Sequence, residues 1–119
     1  MKTFRDLLIW QKAMKLVTAT YENTNCFPQS EIYGLTSQLR RCAVSIPSNI
    51  AEGYGRETKK ELARYLSISI GSLYEYQTQI EIAKNINYLN QLEFNLLYEN
   101  SRELEIMMLT FARKLNTVA

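Results

Sequence analysis

The sequence predicts an all-α fold, an antiparallel up-down-up-down four-helix bundle that takes residues 1–119 as one domain. Three observations predict it. Apolar residues recur at three- and four-residue steps through four long segments, as the exposed and core faces of a helix require. Only four Gly and two Pro occur in 119 residues, so few breakers divide those segments. No stretch carries the alternating pattern of a half-buried strand, and connections of a few residues make neighbouring helices antiparallel.

The first segment runs from about Asp6 to Asn25, with Ile9, Trp10, Ala13, Leu16, Val17 and Tyr21 on one side and Arg5, Lys12, Lys15 and Glu22 on the other. A turn at Pro28 follows. The second starts near Ser30, a predicted N-cap, and runs to Gly53-Tyr54-Gly55 with an apolar stripe of Leu35, Leu39, Cys42, Ile46 and Ile50. Pro47 stands inside it and cannot donate to the Ala43 carbonyl. Because the three/four period continues past it, a kink is expected, not a break.

The third segment opens on Thr58 with Glu61 three positions on, the pattern of a capping box. Leu62, Leu66, Ser69, Leu73, Tyr76, Ile80 and Ala83 then form the seam of a left-handed bundle. Asn87-Tyr88-Leu89-Asn90 closes it, and Asn90 with Glu93 repeats the cap for a fourth helix lined by Leu97, Leu104, Met108, Phe111 and Leu115.

Hydrophobic residues make up 46% of the chain and charged ones 22%, a balance that fits a packed domain and not a disordered one. The net charge is only +2, but it is unevenly spread. Residues 1–60 hold nine cations and five acids, +4, and the remainder holds five cations and seven acids, −2. Such a dipolar chain can meet phosphate on one side or pair with its own copies.

Cys26 and Cys42 are too few for a disulfide framework, and Cys42 falls on an apolar stripe as a small core residue. The N-terminal apolar run is too short for a signal peptide, and no stretch approaches the roughly 18 apolar residues of a membrane span, so a cytoplasmic, non-membrane protein is expected.

Histidine is absent and aspartate occurs once, which removes the His-based zinc, di-iron and nucleophile constellations. Gly53-Tyr54-Gly55 has neither the preceding strand nor the following lysine of a phosphate loop. Glu99 and Glu103 share a face at the spacing of an ordinary solvated helix surface. No catalytic residue, cofactor site or metal site is predicted, and the chain is expected not to be an enzyme.

Two constellations bear on binding. Gln38, Arg41, Ser45, Asn49, Glu52 and Arg56 form a polar stripe along the second helix. It either faces water or marks an inter-helix or inter-subunit contact in which Asn49 and Glu52 make specific hydrogen bonds. Ser and Asn inside a helix, beside a proline, favour the contact. Around the second turn, Arg56, Lys59, Lys60 and Arg64 sit near Glu57, Glu61, Tyr54 and Tyr65. Basic residues interleaved with aromatic rings can hold a phosphate backbone, and mixed charges at a helix start also serve capping and solubility. Tyr33, Tyr54, Tyr65, Tyr74, Tyr88 and Tyr98 lie off the main seams, and Ile68 and Ile70 widen the apolar arc of the third helix. Both features point to a surface covered by other copies.

Three runs carry a resemblance: Leu8-Ile9-Trp10-Gln11-Lys12-Ala13, then Tyr33 through Arg41, then Ser45-Ile46-Pro47-Ser48-Asn49-Ile50-Ala51-Glu52-Gly53. Across essentially its whole length the chain resembles the 23S ribosomal RNA intervening-sequence proteins, also labelled ribosomal S23 proteins. The resemblance implies a cytosolic bacterial bundle that forms a ring-like homopentamer. The family is similar in fold to the accessory variability protein of diversity-generating retroelements, which engages reverse transcriptase and nucleic acid. By that likeness Ser45, Asn49, Glu52 and Gly53 are signature positions, and Arg40, Arg41 and Arg56 are basic contacts. The combined expectation is a homo-oligomer that binds RNA or a nucleic-acid-processing partner through Arg40, Arg41, Arg56, Lys59, Lys60 and Arg64. The competing expectation is an oligomeric scaffold that binds protein only.

Overall fold

The computed structural model describes residues 2–117. Four helices, α1 (Leu8–Thr24), α2 (Leu35–Tyr54), α3 (Lys59–Asn85) and α4 (Gln91–Thr117), pack around one core, with short 3-10 turns at Phe4–Asp6 and Gln29–Glu31. Cross-helix pairs fix the direction of each seam. Cys42, Ser45 and Ile46 of α2 meet Gln79, Ser72 and Ser69 of α3, so α3 descends as α2 rises. Tyr74 and Gln77 of α3 meet Glu105 and Ser101 of α4 in the same sense. Lys12 reaches Glu103, bringing α4 back beside α1. The result is an up-down-up-down bundle. Two 27-residue helices account for its 47 Å long axis, since each spans about 40 Å.

The helical stripes become the core. Ala13, Leu39, Ile50, Leu66, Leu73, Ile80, Ala83, Leu97, Leu104 and Met108 are fully buried. On α1 the buried face leaves Tyr21 at the surface and continues through Thr20 and Thr24. Each threonine satisfies its hydroxyl by donating to the carbonyl four residues back, at 2.7 and 2.8 Å. Since the Thr20 hydrogen is used there, the buried Tyr76 hydroxyl donates to Thr20 Oγ1 at 2.6 Å across the core. Burial pushes the Tyr76 phenol above its ordinary pKa.

Helix ends differ from the expected pattern at two places. Ser30 lies in a 3-10 turn and is not the cap of α2, which begins at Leu35. The Leu35 amide is capped by the Glu31 carboxylate at 3.0 Å, and Tyr88 also donates to that carboxylate at 2.9 Å. The backbone bond first, and the tyrosine second, lower the Glu31 pKa. At α3 only half of the expected box forms. Thr58 accepts from the Glu61 amide, while the Glu61 carboxylate turns to Arg64 at 3.0 Å. The α4 box is complete, with Asn90 and Glu93 exchanging bonds of 2.8 Å. Asn87, at φ 66°, supplies the left-handed residue that ends α3, a conformation asparagine tolerates better than most. α2 is continuous through Pro47, whose ring is buried.

Candidate functional site

The four signature residues are distributed along the α2–α3 seam. Ser45 and Ser72 share a 2.9 Å hydrogen bond across it. Asn49 sends its amide back to the Ser45 carbonyl and hydroxyl at 2.8 and 2.9 Å, within its own helix. Ser69 donates from α3 to the Ile46 carbonyl at 2.8 Å, a buried contact that gives this carbonyl a partner on the neighbouring helix. Gly53 is buried where a Cβ would stand 2.7 Å from Tyr65 Cβ and 3.1 Å from Leu62 Cδ1. Only glycine lets α3 come this close. Three of the four positions therefore serve helix packing or its polar lining. Glu52 stays exposed and pairs with Arg56 at 3.1 Å.

The six candidate basic residues do not form one patch. Arg41 and Arg56 are fifteen positions apart on and just beyond α2, roughly 22 Å along the axis. Arg40 is committed to the fold. Its guanidinium donates to Thr24 Oγ1 and Asn25 Oδ1 at 2.9 and 3.3 Å and lies 4.5 Å from the Tyr21 ring centroid, tying α2 to the end of α1. Arg41 is exposed on a polar cleft lined also by Tyr33, Gln38, Ser45, Ser72 and Glu75.

Arg56, Lys59, Lys60 and Arg64 do gather, at the α2–α3 turn. Arg56 and Arg64 lie 4.9 and 4.7 Å from the Tyr65 ring centroid, and Arg56 also donates to the Tyr65 hydroxyl at 2.7 Å. Arg64 pairs with Glu61 at 3.0 Å, and that bond lowers the Glu61 pKa. The Tyr65 ring is thus occupied by guanidiniums and is not open for stacking a base. Lys59 and Lys60 are exposed and make no ion pair among the described residues.

Topology adds charges that the sequence separates. The same end of the bundle holds the N-terminal 3-10 turn and the last turn of α4. Lys2, Arg5, Arg56, Lys59, Lys60, Arg64, Arg113 and Lys114 lie there against Asp6, Glu52, Glu57 and Glu61; eight cations less four acids give +4. The whole chain carries +2, so the rest of the bundle carries −2. Lys2, Arg5, Arg113 and Lys114 join the local cluster of the α2–α3 turn only through the fold: α2 returns to the N-terminal end, and α4 returns after it.

Beside this end, Leu7, Leu8 and Ile9 face Ile106, Met107 and Phe111 across an apolar groove of about 560 Å³ between α1 and α4. Leu8 and Ile106 remain 68% and 55% exposed. Most of the tyrosines, by contrast, are used within the chain. Tyr88 bonds to Glu31 and packs on Phe27, Tyr98 stacks on Phe94, and Tyr54 is half-buried against the core. Tyr33, at 94%, and Tyr74 are exposed.

Burial, then the nearby Glu75 charge, pushes the Cys42 thiol up to about 12, so it stays protonated as a packed side chain. Among the described residues no three His, Cys, Asp or Glu side chains converge as a metal site would need. No helix among them is long and apolar enough to cross a membrane.

In sequence comparison, no curated protein matches the chain. Residues 5–110 match the family described as 23S rRNA-intervening sequence protein. That span takes in all of α1, α2 and α3 and most of α4, including the Ser45–Gly53 run and the α2–α3 turn. The chain therefore belongs to the 23S rRNA-intervening sequence protein family.

Proposed function

We propose that this chain is a non-enzymatic, cytoplasmic homo-oligomer, a pentamer by its family likeness, that binds RNA or a nucleic-acid-processing partner through the basic end of the bundle. One observation carries the reading: +4 of charge is gathered at that end of a chain whose total is +2. Lys59 and Lys60 are its direct contacts, since both are exposed and unpaired among the described residues. Arg56 and Arg64, held by Glu52, Glu61 and Tyr65, contribute field more than contact. A protonated, buried Cys42 and the absence of histidine support a binding role over a catalytic one. A bend of α2 at Pro47 belongs to the same proposal, because its ring nitrogen leaves the Ala43 carbonyl without its helical donor.

Fluorescence anisotropy with a structured RNA hairpin at about 50 and about 200 mM salt tests this, because phosphate contacts weaken steeply over that range. The affinity falls with salt, and the Lys59→Glu, Lys60→Glu double variant loses both affinity and salt slope. Arg41→Ala, far from the basic end, changes neither. Absence of binding at the lower salt removes the RNA half of the proposal.

A protein-only scaffold is the second reading, favoured by the exposed apolar groove holding Leu8 and Ile106. It predicts an intact oligomer with no RNA affinity at either salt.

A further inference from the structure

We propose that a cavity between the end of α1 and the first turns of α2 binds a small oxyanion, a carboxylate or a phosphate, through Thr36 and Arg40. The inference is independent of the RNA reading, because this cavity lies at the end of the bundle opposite Lys59 and Lys60.

Thr36 carries the first observation. It is 6% exposed and lines the cavity, and its buried hydroxyl has no hydrogen-bond partner among the described residues. Thr20 and Thr24, buried in α1, each donate to the carbonyl four residues back. Thr36 stands in the first turn of α2, and the residue four back, Ile32, lies outside the helix. A buried hydroxyl without a partner costs free energy, so a ligand that answers it binds at an advantage.

The rest of the lining names the ligand. Arg40, one turn beyond Thr36 on the same face of α2, is the only ionisable side chain in it. Its guanidinium uses two of its five N–H groups on Thr24 and Asn25, which leaves three. Asn25 accepts through Oδ1, so its amide N–H groups remain to donate. The N-terminal end of α2 adds partial positive charge. Glu31, the acid of this loop, does not line the cavity; its carboxylate is turned to the Leu35 amide and the Tyr88 hydroxyl. A donor-rich lining with one guanidinium is the chemistry that recognises a carboxylate or phosphate oxygen. The volume, about 210 Å³, is several times the roughly 30 Å³ of one water and below the roughly 300 Å³ at which pockets for larger ligands begin. A small ion fits it and a nucleotide does not.

Thermal unfolding and amide NMR in sodium phosphate, sodium acetate and sodium chloride of equal ionic strength test the proposal. Phosphate or acetate raises the wild-type midpoint above its chloride value and moves the backbone amide signals of Thr36 and Ser37 and the side-chain amide of Asn25. The anion that acts at the lower concentration is the class the site takes. Thr36→Val replaces the hydroxyl with a methyl and weakens anion binding by about tenfold or more, while Thr36→Ser keeps it. In chloride the Thr36→Val midpoint equals or exceeds wild type, because the fold does not use the hydroxyl. No rise above chloride with either anion overturns the proposal. So does a Thr36→Val variant that binds like wild type, or an NMR response confined to the surroundings of Lys59 and Lys60. A Thr36→Val midpoint well below wild type in chloride gives the hydroxyl a structural partner and removes the premise.

Discussion

The α2–α3 and α1–α4 seams of this bundle are built on different principles. The first is close and polar: Ser45, Ser69 and Ser72 bridge it by hydrogen bonds, and Gly53 admits Tyr65 against the α2 backbone. The second stays open at one end, where Leu8 and Ile106 flank an apolar groove, and an ion pair between Lys12 and Glu103 spans the surface. Close approach fixes geometry at the expense of tolerance, because a missing Cβ cannot be replaced. An open apolar seam tolerates change and leaves surface for a partner. The contrast teaches that the Ser45–Gly53 run is first a packing device, and that its specificity as a motif does not make it a binding site.

The largest expected effect breaks the closer seam. Gly53→Ala puts a methyl 2.7 Å from Tyr65 Cβ, which is attached directly to backbone and cannot swing away. A loss of about 1–3 kcal/mol is expected, as overpacking costs in a well-filled core. Urea unfolding measures it, and a loss under about 0.5 kcal/mol, the scatter of ordinary surface substitutions, means the helices separate readily and the contrast between seams is false.

The α3–α4 seam extends the comparison through a buried acid. Glu105 is 8% exposed and accepts from Gln77 at 3.0 Å, Arg102 at 2.7 Å and Tyr74 at 3.3 Å. Burial pushes its carboxyl up, but the Gln77, Arg102 and Tyr74 bonds together hold it below its ordinary 4.5. The folded state therefore favours the ionised form more than the unfolded chain does. That contribution is fully present above 4.5 and is lost as pH falls through the lower folded value. Glu105→Gln should lower the unfolding midpoint near neutral pH and show a shallower decline on acidification, measured from about pH 7 to about pH 3. Parallel curves for the two proteins would place the acid dependence elsewhere.

Ser69→Ala removes a donor from the Ile46 carbonyl and no apolar volume. About 1 kcal/mol is expected, the net worth of one hydrogen bond. A neutral result would leave Gly53 alone responsible for the closeness of α2 and α3.

What the sequence revealed divides along the same lines. The core stripes were legible because period alone places Leu66, Leu73, Tyr76 and Ile80 inside a helix pair, whichever partner covers them. Period alone also puts Ser69 on that seam, whereas its hydrogen bond to Ile46 depends on how closely α2 approaches. Spacing leaves the polar stripe open between water and a contact, and the fold divides it: Gln38, Arg41, Glu52 and Arg56 are exposed, Asn49 turns to its own helix, and Ser45 bonds across to Ser72, a residue that no spacing rule selects. Arg40 read as a free cation because Thr24 and Asn25 precede it across a loop whose course the sequence does not give. The start of α2 was misplaced because Ser30 has the chemistry of a cap, while the Glu31 carboxylate, one residue on, has the reach. The basic end was half legible. Its α2–α3 turn is local, whereas Arg5, Arg113 and Lys114 join it only once the helices are folded back.

The smallest effect belongs to the open seam. Lys12 Nζ lies 2.6 Å from Glu103, a distance that suggests a strong bond, and 3.5 Å from Asn100. Glu103, however, is 64% exposed on its side chain, so water screens the pair and fixing two long side chains offsets much of the attraction. Lys12→Met keeps the apolar stem that covers α4 and removes only the charge. A change of no more than about 0.5 kcal/mol in urea unfolding is expected, with little dependence on salt. A loss above about 1.5 kcal/mol would mean that α1 and α4 are joined by polar contact as firmly as α2 and α3. The groove beside Leu8 would then be a notch in a rigid seam, and its exposed apolar residues would lose their claim to be a surface left open for a partner.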